Sequence, residues 1–233
     1  MKRYLFAAIA LAFAVSCSTA QKGPSKLDTL FTGSAGSYKA SGKFMKPMSW
    51  GVGQYIVLGN IEKGKKKSVT KMSIVGKADG GFIVEMVTTD EDRESVVQYL
   101  IKGIDKAMKT GDAKDIEFGW IKMRNDDGQI QTIEGPMMQM YKAMLPNTIS
   151  SMQLSVKNYT DGGTVTVPAG TFSGLNVVDS EAKVFGFTTK TKGWYHPSVP
   201  VNGTVRSVSD DGKQETVLIG FGMSGAKAII PVQ

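Results

Sequence analysis

Val69-Thr70-Lys71-Met72-Ser73-Ile74-Val75, followed by Ala78-Asp79-Gly80-Gly81 and then Phe82-Ile83-Val84-Glu85-Met86-Val87, reads as two β-strands and the turn between them. Asp-Gly flanked by β-branched runs is a strong hairpin signal, because glycine accepts positive φ without a steric penalty. Working outward, Gln54-Tyr55-Ile56-Val57-Leu58 is an earlier strand that Lys63-Gly64-Lys65 turns back, and Val96 to Ile101 is a later one. Ile116, Phe118 and Trp120 alternate with Glu117 and Gly119, which places the three on one strand face, and Asn125-Asp126-Asp127-Gly128 makes a turn. The rhythm returns after Asn158, with strands at Thr164-Val165-Thr166-Val167, Phe172 to Ser180 and around Val184-Phe185-Gly186-Phe187. Gly193-Trp194-Tyr195-His196-Pro197 follows. A last hairpin runs from Val201 to Val208, through Ser209-Asp210-Asp211-Gly212, and back from Glu215 to Phe221.

Two segments depart from this rhythm. Ile104, Ala107 and Met108 fall at i, i+3 and i+4, which predicts a short helix. Gly135-Pro136 to Leu145-Pro146 predicts another, since proline suits a first helical turn and stops a helix at its end. Met137, Met140, Tyr141, Met144 and Leu145 would form its apolar stripe, too short to be stable unless laid against something. Five of the thirteen methionines (Met137, Met138, Met140, Met144, Met152) cluster here. Thioether side chains are flexible and polarisable and so suit variable apolar partners. The stripe reads either as a lid packed permanently on the sheet or as a movable lid over an apolar ligand. The expected fold is mainly β (α+β): a curved antiparallel sheet or half-barrel with one or two short helices as a lid. Whether residues 34–160 share that sheet with the rest is open at this level.

The N-terminus carries Lys2 and Arg3, then an apolar run from Tyr4 to Val15, the layout of a secretory signal and too short to span a bilayer. Ala14-Val15-Ser16-Cys17 resembles a bacterial lipobox, in which cleavage leaves a diacylated cysteine as the first residue. That resemblance implies a signal peptide over 1–16, a lipidated Cys17 and polar tether over 17–33, and one β-rich domain over 34–233. Palmitate-type acyl chains would supply the membrane contact, and Ser18 lacks the aspartate-type retention signal, which favours the outer membrane. The other reading is an ordinary secreted protein with Cys17 incidental. Cys17 is the only cysteine, so no intramolecular disulfide exists. Formal charge is +7, and +5 without Lys2 and Arg3. The densest basic run, Lys63, Lys65, Lys66 and Lys67, lacks the interleaved arginine and aromatic residues of a nucleic-acid surface, so no nucleic-acid partner is expected.

Two C-terminal stretches resemble a bacterial envelope family. One is Val167-Pro168-Ala169-Gly170-Thr171-Phe172 leading into Leu175-Asn176-Val177-Val178. The other is Trp194-Tyr195-His196-Pro197-Ser198-Val199-Pro200-Val201 followed by Gly203-Thr204-Val205-Arg206. The family is similar in fold to the lipoprotein-carrier (LolA/LolB-like) half-barrels, which helices close over an apolar cavity. The resemblance implies that fold and transfers no activity. The residues themselves suggest that Pro168 marks a strand edge or corner and that Gly170 supplies a bulge or positive φ. On the same reading Phe172 and Trp194 are core residues.

His196 is the only histidine, and no nucleophile-elbow pattern surrounds any serine. The acidic pairs at 90–92, 126–127 and 210–211 lack the calcium-loop spacing and read as turns. The expectation is therefore no enzyme, no metal and no cofactor. A lipid, acyl chain or other hydrophobic ligand would bind at Met137, Met140, Tyr141, Met144, Leu145, Trp120 and Trp194. The alternative is a structural or surface-exposed lipoprotein acting through contacts with other proteins, whose partner the sequence does not name.

Overall fold

The computed structural model describes residues 25–33, 36–138, 158–184 and 187–232. Cys17, Met140, Tyr141, Met144 and Leu145 lie outside the described residues. The strands are β1 (Gly36–Lys39), β2 (Tyr55–Glu62), β3 (Lys65–Ala78), β4 (Gly81–Thr89), β5 (Glu94–Lys102), β6 (Glu117–Arg124) and β7 (Ile130–Ile133). They continue as β8 (Thr164–Val167), β9 (Gly170–Ser173), β10 (Asn176–Val184), β11 (Phe187–Tyr195), β12 (Thr204–Ser209) and β13 (Gln214–Gly222). Short α-helices α1 (Lys26–Leu30) and α2 (Ile104–Thr110) accompany them, and residues 136–138 are also helical.

Ten strands make one curved, open antiparallel sheet in the order β10-β11-β12-β13-β2-β3-β4-β5-β6-β7. It is two meanders joined where the last strand pairs with the second, Leu218 opposite Leu58. The two parts of the chain therefore share a sheet. The expected strand from Phe172 to Ser180 is in fact two, because Gly174 has φ +77 and turns the chain. Its first half, β9, leaves for a separate sheet of order β1-β9-β8, in which β1 runs parallel to β9. Pro168 and Ala169 form the turn between β8 and β9. Gly170 has φ +133 and lies so close to Gly36 that a Cβ would sit 2.3 Å from the Gly36 carbonyl oxygen. Phe172 is fully buried, stacked on Tyr38 at 4.6 Å. It is core as expected, but core of the small sheet.

Side chains alternate between the two faces of the large sheet. On one face Ile56, Ile74, Val84 and Ile101 meet Trp50 and the apolar side of α2, formed by Ile104, Ala107 and Met108 as its spacing predicts. Phe118 opposes Ile101 and Ile121 opposes Tyr99, with a bulge between them. The extra residue puts Phe118 and Ile121 on the core face and turns Trp120 to the other, which breaks the expected alternation.

The second face is covered by pieces from both chain ends. Ser25 caps α1: its hydroxyl accepts the Asp28 N–H, and the Asp28 carboxylate accepts the Ser25 N–H. Leu27 and Phe31 are buried against β2 and β3, and Lys66 pairs with Asp28 at 2.6 Å. A Cβ on Gly59 would lie 2.5 Å from the Phe31 ring, so glycine is what lets the helix approach. Leu27 and Phe31 thus dock α1 on the sheet, each contributing about 1.5–3 kcal/mol of burial. No helix of the described residues is long and apolar enough to cross a membrane.

Farther along this face the C-terminal tail docks on Glu85, which is only 1% exposed. The carboxylate accepts the N–H groups of Ile229 at 2.9 Å and Ile230 at 2.9 Å, and the Gln98 side-chain amide at 2.9 Å. That amide also donates to the Ile230 carbonyl at 2.6 Å, and Ile230 itself is buried. Glu85→Ala strips the acceptor from three donors, and unsatisfied buried donors cost about 1–3 kcal/mol each. We expect a lower urea midpoint and faster proteolysis after Ser224. An unchanged midpoint would show that the tail contributes nothing to stability.

Candidate functional site

Of the ligand-binding residues expected from sequence, Met137, Trp120 and Trp194 are among the described residues. Met137 is 53% exposed, and its neighbour Met138 enters the core instead. Trp120 and Trp194 stand toward opposite ends of the large sheet, on β6 and β11. Trp120 is half-buried, with the Lys122 ammonium 4.7 Å from its ring centre. Methionines do gather, but on the strands: Met72 opposes Met86, Met86 opposes Val97, and Val97 opposes Met123. This half-buried row on the core face was invisible in the sequence, because its members meet only through strand register.

Trp194 does line a cavity, one of about 750 Å³. Strand pairing builds it. Val177 opposes Trp194, Asp179 opposes Lys192, and Glu181 opposes Lys190. Across β11, Trp194 opposes Arg206 and Lys192 opposes Val208. Positions two apart share a face, so all of these side chains stand on the side that α1 covers farther along. Val205 is the extra residue of a bulge where Tyr195 pairs with Thr204, and it is fully buried on the opposite face.

The cavity floor is half-buried and consists of Trp194, Arg206 and Val208, whereas Asp179, Glu181, Lys190, Lys192 and Asp210 form an exposed charged rim. Trp194 is therefore half-buried, packed against the edge of the core while also forming a wall of this cavity. Its indole rests against Gly162, where a Cβ would come within 3.0 Å of the ring. On its other side stands the Arg206 guanidinium, 5.3 Å from the ring centre and bonded through Nε to Glu215 Oε1 at 2.7 Å. Cation–π contact and ion pair together hold both side chains in place. What the arrangement offers chemically is a rigid aromatic surface edged by charges of both signs. The alternation Lys190-x-Lys192-x-Trp194 hints at one face in the sequence. That Asp179, Glu181 and Arg206 join it is set by pairing alone.

His196, just beyond β11, is fully buried. Its Nδ1 accepts the Ser198 N–H at 3.2 Å, so the neutral ring carries its proton on Nε2. Nε2 has no hydrogen-bond partner of good geometry among the described residues. The Phe172 ring meets it edge-on at 5.3 Å. Burial pushes the imidazole below the ordinary histidine range, and the Ser173 backbone opposes this only in part. Its position ties β11 to the small sheet.

No family model and no curated protein matches the chain. Among solved structures it is similar to a Bacteroides fragilis NCTC 9343 protein of YmcC-like fold, at 14% identity over 76% of this chain and 99% of that one, with a TM-score of 0.38. It is also similar to MucB, at 11% identity over 76% of this chain and 55% of that one, with a TM-score of 0.30. At these scores neither likeness carries an argument about function.

A depressed histidine pKa means that the unfolded chain binds the proton more readily than the folded one. The His196 contribution is therefore complete above about pH 6.5, the free-histidine value, and shrinks as pH falls below it. His196→Leu should flatten the pH 5–7 limb of a thermal-unfolding profile; an unaltered limb would assign the acid sensitivity to other groups.

Proposed function

We propose that this chain is a lipid-anchored bacterial envelope protein that binds an amphipathic lipid or acyl ligand without catalysis. The observation that carries the reading is the 750 Å³ cavity floored by Trp194, Arg206 and Val208. Its size falls within the range of small-molecule sites, about 300–1,000 Å³, and Trp194 and Val208 supply an apolar floor within a lining that is otherwise polar and charged. The anchor rests on Ala14-Val15-Ser16-Cys17, with the acyl chains on Cys17 and the outer membrane as its destination. Two or three chains at about 0.8 kcal/mol per buried methylene make such an anchor firm. Trp194 carries over from the sequence reading as a ligand contact, with Arg206 and Val208 added to it.

Native mass spectrometry of the full chain released from membranes tests the binding. The expected result is a co-purifying lipid mass, reduced several-fold in Trp194→Ala. A clean apo mass that stays unchanged on adding lipid would sink the reading. It would favour contact with a protein partner, for which the exposed Val52 and Met223 offer apolar surface. The anchor has a separate test: Cys17→Ser should abolish palmitate labelling and move the protein from the detergent to the aqueous phase in a phase-partition assay. Continued labelling would rule Cys17 out as the acylated residue.

A further inference from the structure

Asp179 stands directly opposite Lys192, and Glu181 directly opposite Lys190. Side chains so placed lie about 5 Å apart at Cβ and ordinarily close into ion pairs across a sheet. Here they do not. Among the described residues no ion pair or side-chain hydrogen bond engages Asp179, Glu181, Lys190, Lys192 or Asp210, although Arg206 pairs with Glu215 on the neighbouring strand at 2.7 Å and Arg124 with Glu94 at 2.9 Å. Three carboxylates and two ammonium groups therefore stand uncommitted around one cavity.

We propose that the polar end of the ligand is zwitterionic, a phosphate and an amine on one headgroup, with its apolar part against Trp194 and Val208. This deepens the preceding reading and rests on it. The chemistry discriminates by sign. A purely anionic headgroup would meet Lys190 and Lys192 but also three carboxylates, and a purely cationic one would meet the reverse. A group carrying both charges a few ångströms apart satisfies both halves of the rim, the phosphate at Lys190 and Lys192 and the amine at Asp179, Glu181 or Asp210. Arg206 does not compete for the phosphate, because Glu215 and the Trp194 ring already engage it. Its part is to hold the indole at the depth where the headgroup gives way to the chain, the level that tryptophan favours at a bilayer surface.

The test titrates the full chain with short-chain lipids that differ only in headgroup: dihexanoyl phosphatidylethanolamine, phosphatidylcholine and phosphatidylglycerol, all as monomers. Free phosphoethanolamine is a fourth probe. The two zwitterionic lipids should bind about tenfold or more tighter than the anionic one, a difference that sign complementarity along one rim readily supplies. Asp179→Asn with Glu181→Gln should erase most of that preference by improving phosphatidylglycerol binding. Both substitutions sit on an exposed rim and keep side-chain shape, so folding is preserved and is checked by circular dichroism. Equal affinity for all three lipids, still lost in Trp194→Ala, would overturn the zwitterion inference and leave the cavity reading intact. Free phosphoethanolamine binding as well as the lipids would keep the zwitterion and overturn the lipid. No Trp194-dependent binding of any probe would overturn both.

Discussion

An open sheet ten strands wide has two faces and no interior of its own, so each face must be covered by chain from outside the sheet. That requirement organises everything else in this molecule. On one face α2, Trp50 and Met138 close over the central and β6–β7 strands. The small sheet seals the same layer near β12 and β13, where the Ala169 N–H donates to the Leu218 carbonyl at 3.0 Å and Phe172 packs on Phe221. On the other face α1 and the C-terminal tail perform the same task from opposite ends of the chain.

The means differ because the surfaces differ. Where α1 lies, the sheet offers Val69 and the bare backbone of Gly59, so apolar contact from Leu27 and Phe31 is sufficient. Where the tail lies, the sheet offers Glu85 and Gln98, two polar groups that would be costly to bury without partners. The tail meets both with its backbone: the Ile229 and Ile230 N–H groups donate to Glu85, the Ile230 carbonyl accepts from the Gln98 amide, and Ile230 is buried beside them, while Gln98 Oε1 has no hydrogen-bond partner among the described residues. A polar pair in the middle of a strand face thereby becomes the attachment point of a segment more than a hundred residues away in the chain.

Among the described residues, coverage of this second face ends at β10, β11 and β12, and the cavity is there. Trp194 would be an exposed liability on a bare sheet. Backbone at Gly162 on one side and Arg206 on the other hold it as a defined surface. The same rule that explains the core, that an apolar face must be covered, makes this uncovered aromatic floor the place where a ligand gains most by binding.

Local signals alone determined most of the strands and turns. Asp-Gly and Lys-Gly turns need only the positive φ that glycine or its neighbour accepts, and the spacing of Ile104, Ala107 and Met108 needs only the helical period, so both were legible without any partner. Gly170 belongs with them, since Pro168 before it limits how the chain can turn. Tertiary structure decided the rest. Leu218 chose Leu58, β9 left the large sheet, a bulge turned Trp120 away from Phe118, and Asp179 came to stand beside Lys192. Of the candidate site only Trp194 was readable, because an aromatic residue in a strand announces itself. Its companions were not, because the register that joins them depends on contacts between residues distant in the chain, and a one-residue shift would send every one of them to the other face.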